Sequence, residues 1–445
     1  MHKFETLDLS MDEKNEGTII TTAAPPEDVM IFTDDEIIEL QIHIFELIEI
    51  YLDLFISEYH KINFQKTWIE DITEHVFEVC LDIDFCEDTN ECYDDLSLLV
   101  EKTIELYLEI NPHDVMACRS YPDTRILNVS NNTHHKINTT LNLLKNTHQP
   151  KQKTEEWYQF RHNLITASNI GKVFGSPSAY NSLICEKCKP CVQNNYFLKS
   201  VSLHHGNKYE PLSILIYEKK YDTQLDEFGC IKHKKYEFIG ASPDGINTNP
   251  HSPLYGRMVE VKNIYNRIIN GIPSEMYWIQ MQIQMEVCDL DECDFLETRF
   301  KEYENENAFY EDKVSEYKGV VLQFNGLEEN FPLYVFMPLN IEITKSNVEN
   351  WIELKKNEIL KSSTEYVSSN VQYWYLDQWS CVLVIRNKKW FNEVVPNIQK
   401  IWETILKERT SGFEHRMPKQ RFKVPPQIAV VEELKVVKSN EVMKF

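Results

Sequence analysis

Between Phe238 and Asn263 the chain reads FIGASPDGINTNPHSPLYGRMVEVKN, a stretch that sets three chemically capable side chains close together. Asp244 stands in the turn signal Ser242-Pro243-Asp244-Gly245, and sixteen residues later Val259-Glu260-Val261-Lys262 offers a carboxylate and an amine two positions apart. In a strand, residues i and i+2 share a face, so Glu260 and Lys262 project together while Val259 and Val261 point into the core. A hard cation such as Mg²⁺ takes oxygen ligands and few protein carboxylates, leaving room for water and phosphate. Asp244 and Glu260 would supply such oxygens. Lys262 beside them would orient or help deprotonate a bound water and stabilise charge on a phosphoryl oxygen. Taken singly, each half is an ordinary β-turn or an ordinary half-exposed strand. Their conjunction points to chemistry on a phosphate ester.

The elements that must position these groups follow from periodicity. Residues 153–300 alternate helix and strand: a helix from Trp157 to Asn163, a second capped at Thr166-Ala167-Ser168 and running through Val173, and a longer one over 205–222. Strands are expected near 226–233, 236–241 and 256–262, a helix over 274–288, and strands near 293–302, 317–324 and 332–338. That order predicts an α/β fold, a mixed sheet flanked by helices. Upstream, residues 1–33 read as a flexible acidic lead and 34–150 as an acidic, mostly helical module with helices at 34–63, 64–80, 93–110 and 132–146. Downstream of a core over 151–345, residues 346–445 read as a C-terminal helical extension and tail, with helices at 346–361 and 388–408 and a strand at 381–385. The tail carries Arg416, Lys419, Arg421 and Lys423.

The formal net charge of −24 argues against a nucleic-acid partner until it is divided along the chain. Residues 1–150 hold 9 Lys and Arg against 31 Asp and Glu, whereas residues 151–290 hold 16 against 14. The acidity is N-terminal, and the segment with the carboxylate and lysine cluster is close to neutral. No run of eighteen apolar residues exists and the N-terminus lacks a signal-peptide core, so a soluble intracellular protein with no membrane partner is expected. Eleven irregularly spaced cysteines fit a reducing compartment. Cys185-x-x-Cys188-x-x-Cys191 lacks a fourth ligand of matching spacing; an iron–sulfur cluster is not expected there, and the thiols are read as partly buried residues of a loop.

Five blocks occur in one order: WYQFRHNLITASNIGKVFG, HGNKYEP, GASPDG, VEVK and YWIQMQIQMEV. Together they resemble the phage lambda exonuclease and YqaJ-like viral recombinase branch of the PD-(D/E)XK nucleases, over about residues 153–300. The resemblance implies a restriction-endonuclease-like core. It implies Asp244 and Glu260 as metal ligands, Glu210 as a further carboxylate at the metal, and Lys262 as the catalytic lysine. Arg161 and Ser168 match the positions that grip a terminal 5′-phosphate, which agrees with an arginine beside a capped helix start. Helical spacing puts Tyr277, Gln280 and Gln284 on one face with Gln282 turned away. Gln280 best matches the family's active-site glutamine, Tyr277 is taken as DNA-contacting, and the choice among the three glutamines stays open.

The activity so implied is hydrolysis of linear duplex DNA, 5′ to 3′, with Mg²⁺ or Mn²⁺ in its place, serving viral recombination, replication or repair in host cytoplasm or nucleus. Duplex ends are the expected partner, with a single-strand annealing or replication protein beside them. Family toroids make a homo-oligomer an open question. Two rival readings share the residues: a structure-specific or nicking endonuclease, and a catalytically weak DNA-binding scaffold recruited through the acidic module.

Overall fold

Apolar residues recurring every four positions determine the first helices. In α1 (Asp34–Phe55), Leu40, Ile44, Ile48 and Leu52 are buried, and in α2 (Phe64–Asp82), Trp68, Ile72, Val76 and Cys80 are buried. That is the one-sided stripe of a helix packing on a neighbour. With most of α3 (Asn90–Ile110) they form one unit, closed by Tyr51 stacked on Trp68 at 6.2 Å between ring centroids. The computed structural model describes residues 31–110, 119–121, 131–152, 154–191, 201–326, 332–362 and 366–418. The acidic lead, except for its last residues, and the tail residues Lys419, Arg421 and Lys423 lie outside the described residues.

A second unit comprises 56–62 and everything from Leu108 onward, including α4 (Asn131–Asn146). Its elements continue with α5 (Glu155–His162), β1 (Ile165–Thr166), α6 (Ala167–Ile170), α7 (Pro177–Cys188) and α8 (Val201–Lys220). Four short strands follow, β2 (Leu225–Asp226), β3 (Ile231–Lys232), β4 (Ile239–Ala241) and β5 (Gly245–Asn247), then β6 (Met258–Asn263), α9 (Glu275–Cys288) and β7 (Glu292–Glu302). The chain closes with α10 (Glu306–Glu311), β8 (Lys318–Gly326), β9 (Leu333–Phe336), α11 (Lys345–Ser362), β10 (Tyr366–Ile385) and α12 (Lys388–Ser411).

The fold is mixed α/β, as expected. A seven-stranded sheet runs β2-β5-β6-β7-β10-β8-β9, and a three-stranded sheet runs β1-β4-β3. Within the large sheet, β5 and β6 pair antiparallel, whereas β6 and β7 pair parallel across the helical crossover α9. The segment Ser242-Pro243-Asp244 therefore carries the chain from the small sheet at β4 to the large one at β5. A side chain at position 245 would crowd that step: a Cβ there would lie 2.9 and 3.1 Å from side-chain carbons of Leu225 on the adjacent strand.

Several elements differ from expectation: the strand expected near 226–233 is two short strands in different sheets, β2 and β3, and β1, β5 and α10 are additions. Residues 177–188 form a helix, capped by the Ser176 hydroxyl accepting from the Ala179 N–H with Pro177 in the first turn. Cys185 and Cys188 thus sit on α7, not in a loop. The expected strand at 381–385 is the end of the twenty-residue β10, which pairs antiparallel with β7 on one side and β8 on the other.

Candidate active site

Strand β6 presents the charged pair against the rule that strand interiors are apolar. Glu260 has no exposed surface, flanked by buried Val259 and Val261. A buried carboxylate needs donors, and it has three. Lys262 donates to Oε1, Gln280 Nε2 donates to the same oxygen at 2.7 Å, and Gln284 Nε2 donates to Oε2 at 2.7 Å. Gln284 Nε2 also reaches the Ser242 carbonyl at 3.3 Å, which ties the aspartate-bearing bend to the strand. Asp244 is fixed from the other side, its Oδ2 accepting the Val261 N–H at 2.8 Å.

Helix α9 delivers the two glutamines because positions 280 and 284 are one turn apart. Gln282 faces the other way: it donates to the Ile385 carbonyl at 2.9 Å and accepts from the Asn387 N–H at 2.6 Å. The helical face read from the sequence is thus the face that meets Glu260, and it brings Gln284 as well as Gln280. Tyr277, on the first turn of α9, lies under the Lys262 ammonium at 5.0 Å and the Arg267 guanidinium at 5.5 Å.

Burial raises the Asp244 carboxyl well above the usual carboxylate range, and the neighbouring Glu260 and Glu210 charges push it the same way against Lys262 and the Val261 N–H. Burial alone would depress Lys262, but Glu260 and Asp244 more than offset it and hold the ammonium above its ordinary range. Glu210 reaches this cluster from α8. That helix is locked to β6 and β7 by a buried network in which the Ser213 and Thr298 hydroxyls each lie 2.7 Å from Asn263 Oδ1 and 2.9 Å from one another. Asn263 Nδ2 also donates to the Gly206 carbonyl at 3.1 Å.

A second cluster stands on α5 and α6. Thr166 caps α6, exchanging bonds with Asn169 as a capping box, so Ser168 is left inside the first turn and is not the cap. Arg161 Nη2 donates to Ser168 Oγ at 3.1 Å and approaches Thr166 Oγ1 at 3.5 Å, with its guanidinium 4.3 Å from the Trp157 ring centroid. Among the described residues no carboxylate lies at ion-pair distance from it, and burial lowers its pKa from the usual value. Both clusters line one groove of about 1780 Å³, together with Asn207, Lys187 and Arg416. Tyr277 is not among its lining residues.

Residues 156–291 match the model of the YqaJ-like viral recombinase domain. The chain carries that domain. It holds α5, less its first residue, through α9 and every site residue named above from Arg161 to Gln284. An uncharacterized protein of Acanthamoeba polyphaga mimivirus is 31% identical over 303 residues, 60% of this chain and 55% of that one, so the chain spans about half the length of this curated relative. Among solved structures, the alkaline exonuclease LHK-Exo from Laribacter hongkongensis is similar at 18% identity over 59% of this chain and 95% of its own, with a TM-score of 0.32. Its complex with dAMP gives 17% and 0.33. A phage-related exonuclease from Haemophilus somnus gives 14% over 58% and 99%, with a TM-score of 0.31.

The sequence reading missed Lys187, which is 4% exposed and donates to the Arg161 carbonyl at 2.9 Å, and Arg409, which holds the same helix end. The first was overshadowed by the cysteines around it, and nothing local marks the second. Among the described residues no three His, Cys, Asp or Glu side chains meet at metal-holding spacing, the Cys185, Cys188 and Cys191 set included. No helix among them is long and apolar enough to cross a membrane.

Proposed function

We propose that this protein is a divalent-metal-dependent deoxyribonuclease that degrades linear duplex DNA from a 5′-phosphorylated end, with Asp244, Glu260, Lys262, Gln280 and Glu210 at the reacting phosphate and Arg161 with Ser168 at the terminal one. The observation that carries this reading is that one groove presents both clusters, carboxylates with a lysine in one part and a hydroxyl-backed arginine in the other. The recombinase domain over 156–291 supports it, because all of these residues fall inside that match.

The donor set suits Mg²⁺ or Mn²⁺. Asp244 and Glu260 are hard oxygen donors whose mutual repulsion, with Glu210, a cation would relieve, and two protein carboxylates are enough when water and phosphate oxygens complete the shell. The cation would polarise the phosphodiester and acidify the attacking water. Lys262, held charged by Glu260 and Asp244, stabilises negative charge on a phosphoryl oxygen. Gln280 donates toward the same part of the groove and positions water or phosphate. Gln284, fully buried and bonded to both Ser242 and Glu260, keeps the two carboxylates in register. Arg161 has five N–H donors facing two hydroxyls and a ring, and a terminal phosphate supplies the acceptors that this guanidinium lacks.

The test is nucleotide release from linear duplex bearing 5′-phosphate or 5′-hydroxyl ends, with Mg²⁺ or EDTA, for the native chain and for Asp244→Asn and Lys262→Ala. Metal-dependent release abolished by both substitutions supports the assignment, and an unchanged rate in either variant sinks it. A covalently closed circle resists an end-dependent enzyme. Its cleavage would move the assignment to an endonuclease with the same residues.

A further inference from the structure

The helix that carries Arg161 has little to hold it. Helix α5 is eight residues long, capped at Thr154, with no fully buried side chain, so its position depends in good part on how its C-terminal carbonyls are satisfied. Besides the local Asn163 and Leu164 N–H groups, two of those carbonyls take donors from distant parts of the chain. Lys187 Nζ, at the end of α7, donates to the Arg161 carbonyl at 2.9 Å. Arg409, in the last turn of α12, spends all three of its nitrogens on the same junction. Nη2 donates to the His162 carbonyl at 2.9 Å, Nη1 to Asn163 Oδ1 at 3.2 Å, and Nε to the Lys187 carbonyl at 2.9 Å. Its guanidinium lies 5.4 Å from the Trp402 ring centroid. Seven residues on, past the end of α12, Arg416 makes a two-pronged pair with Glu408, both at 2.6 Å, and reaches Asn181 of α7 at 2.8 Å, which fastens the end of α12 to that helix.

We infer that Arg409 is a positioning residue for selection of the 5′-terminal phosphate: by clamping the end of α5 to the end of α7 it sets where Arg161 stands on the groove wall. This rests on the reading that Arg161 binds that phosphate. It goes beyond that reading because Arg409 lies more than a hundred residues past the recombinase domain, on a helix none of whose residues lines the groove. The C-terminal helix is thereby part of the end-recognition apparatus. Arginine is specific to this job. A lysine supplies a single amine where three fixed N–H directions are used.

The experiment is the ratio of kcat/KM on 5′-phosphorylated against 5′-hydroxyl linear duplex, measured for the native chain, Arg409→Met, Arg409→Lys and Arg161→Ala. The expected result is a fall in the ratio of at least tenfold for Arg409→Met, expressed in KM for the phosphorylated end with kcat held within about twofold, and a partial return in Arg409→Lys. General loss of structure lowers both substrates together and leaves the ratio unchanged, so an unchanged ratio in Arg409→Met with a collapsed ratio in Arg161→Ala overturns the inference and leaves the reading of Arg161 standing. If Arg161→Ala also keeps the native ratio, both fall. Should Arg409→Met yield no folded protein, Arg409→Gln, which keeps an amide donor on a shorter stem, is read by the same ratio and the same tenfold criterion.

Discussion

Lys187 offers a stability experiment whose sign is set by the structure. Its ammonium is buried beside the Arg161, Arg409 and Lys172 charges. Burial is the largest influence, Glu186 pulls the other way, and the pKa falls from 10.5 to about 8. A shift of that size means the charged form is disfavoured in the folded protein on the order of 3 kcal/mol. Replacing Lys187 by Met removes that penalty, but it also removes the charged hydrogen bond to the Arg161 carbonyl at 2.9 Å, a loss of about 1.5–3 kcal/mol. At pH 7 the two nearly cancel, and Lys187→Met should fall within about 1 kcal/mol of the native stability despite deleting a buried polar group. The pH dependence separates them. Because the folded pKa lies below the unfolded one, the unfolded chain binds more protons between pH 8 and 10.5, so this residue makes the native protein more stable as pH rises through that window. Of that penalty, about 2 kcal/mol is relieved between pH 7 and pH 10.

The assay is urea unfolding at pH 7 and at pH 10, followed by tryptophan fluorescence, which reports chiefly on the larger unit because seven of the eight tryptophans lie in it. Other groups titrate in the same range, so the quantity to read is native minus variant. It should move in favour of the native chain by about 2 kcal/mol from pH 7 to pH 10. A difference that stays flat would mean that Lys187 is not a desolvated ammonium, and a difference that moves the other way would mean that the fold stabilises its charge.

Four further outcomes follow from contacts. Asp244→Asn and Lys262→Met should each lower hydrolysis of linear duplex in Mg²⁺ by about 100-fold or more, read as single-turnover nucleotide release. Gln284→Met removes a donor from a buried carboxylate and should lower kcat about tenfold or more with KM little changed. Gln282→Met breaks the bonds to the Ile385 carbonyl and Asn387 N–H, so it should lose about 1–3 kcal/mol of stability with kcat intact; the reverse pattern would mean the helix face is misassigned. Asn263→Ala removes bonds linking α8, β6 and β7 and should cost about 2 kcal/mol in denaturant unfolding, and native-like stability would show that the Ser213 and Thr298 hydroxyls repair the gap.

What was legible in the sequence is what local geometry dictates. The i, i+2 rule put Glu260 beside Lys262, and the 3.6-residue repeat turned Gln280 and Gln284 toward them and Gln282 away. The long helices and most strands of the large sheet were readable for the same reason. Helix α7 was hidden because PSAYNSLICEKC has polar and apolar residues on every side; Ser176 and Pro177, both helix-start signals, were the available clue. Strand β10 was readable only at its apolar end, since Ser368, Ser369, Asn370, Gln372, Asp377 and Gln378 interrupt the pattern and a bulge falls between Leu376 and Gln378. A strand paired on both edges is held by its ladder and tolerates polar residues that a sequence pattern counts against it. Arg409 had no local signal, because its meaning lies in carbonyls nearly 250 positions away.

That separation explains why the two clusters of the groove read so differently. Apart from Glu210 on α8, the carboxylate cluster is made by neighbouring elements, the bend before β5, then β6 and α9, so its chemistry is compressed into forty-odd residues of sequence. The cationic cluster is assembled from α5, α6, α7 and α12. A half-buried guanidinium without a carboxylate is unfavourable unless its surroundings are rigid enough to prevent it from swinging out to solvent. Trp157 beneath it, the Ser168 hydroxyl in front and the clamp of Lys187 and Arg409 behind the helix supply that rigidity. Under the proposed reading, the ligand that completes it is a terminal phosphate. With a second pKa near 6, the monoester carries close to two charges and three acceptor oxygens at neutral pH, where an internal diester offers one charge and two. The site is therefore built to distinguish an end from a backbone by charge and acceptor count, and the distinction is only as sharp as the hold on α5.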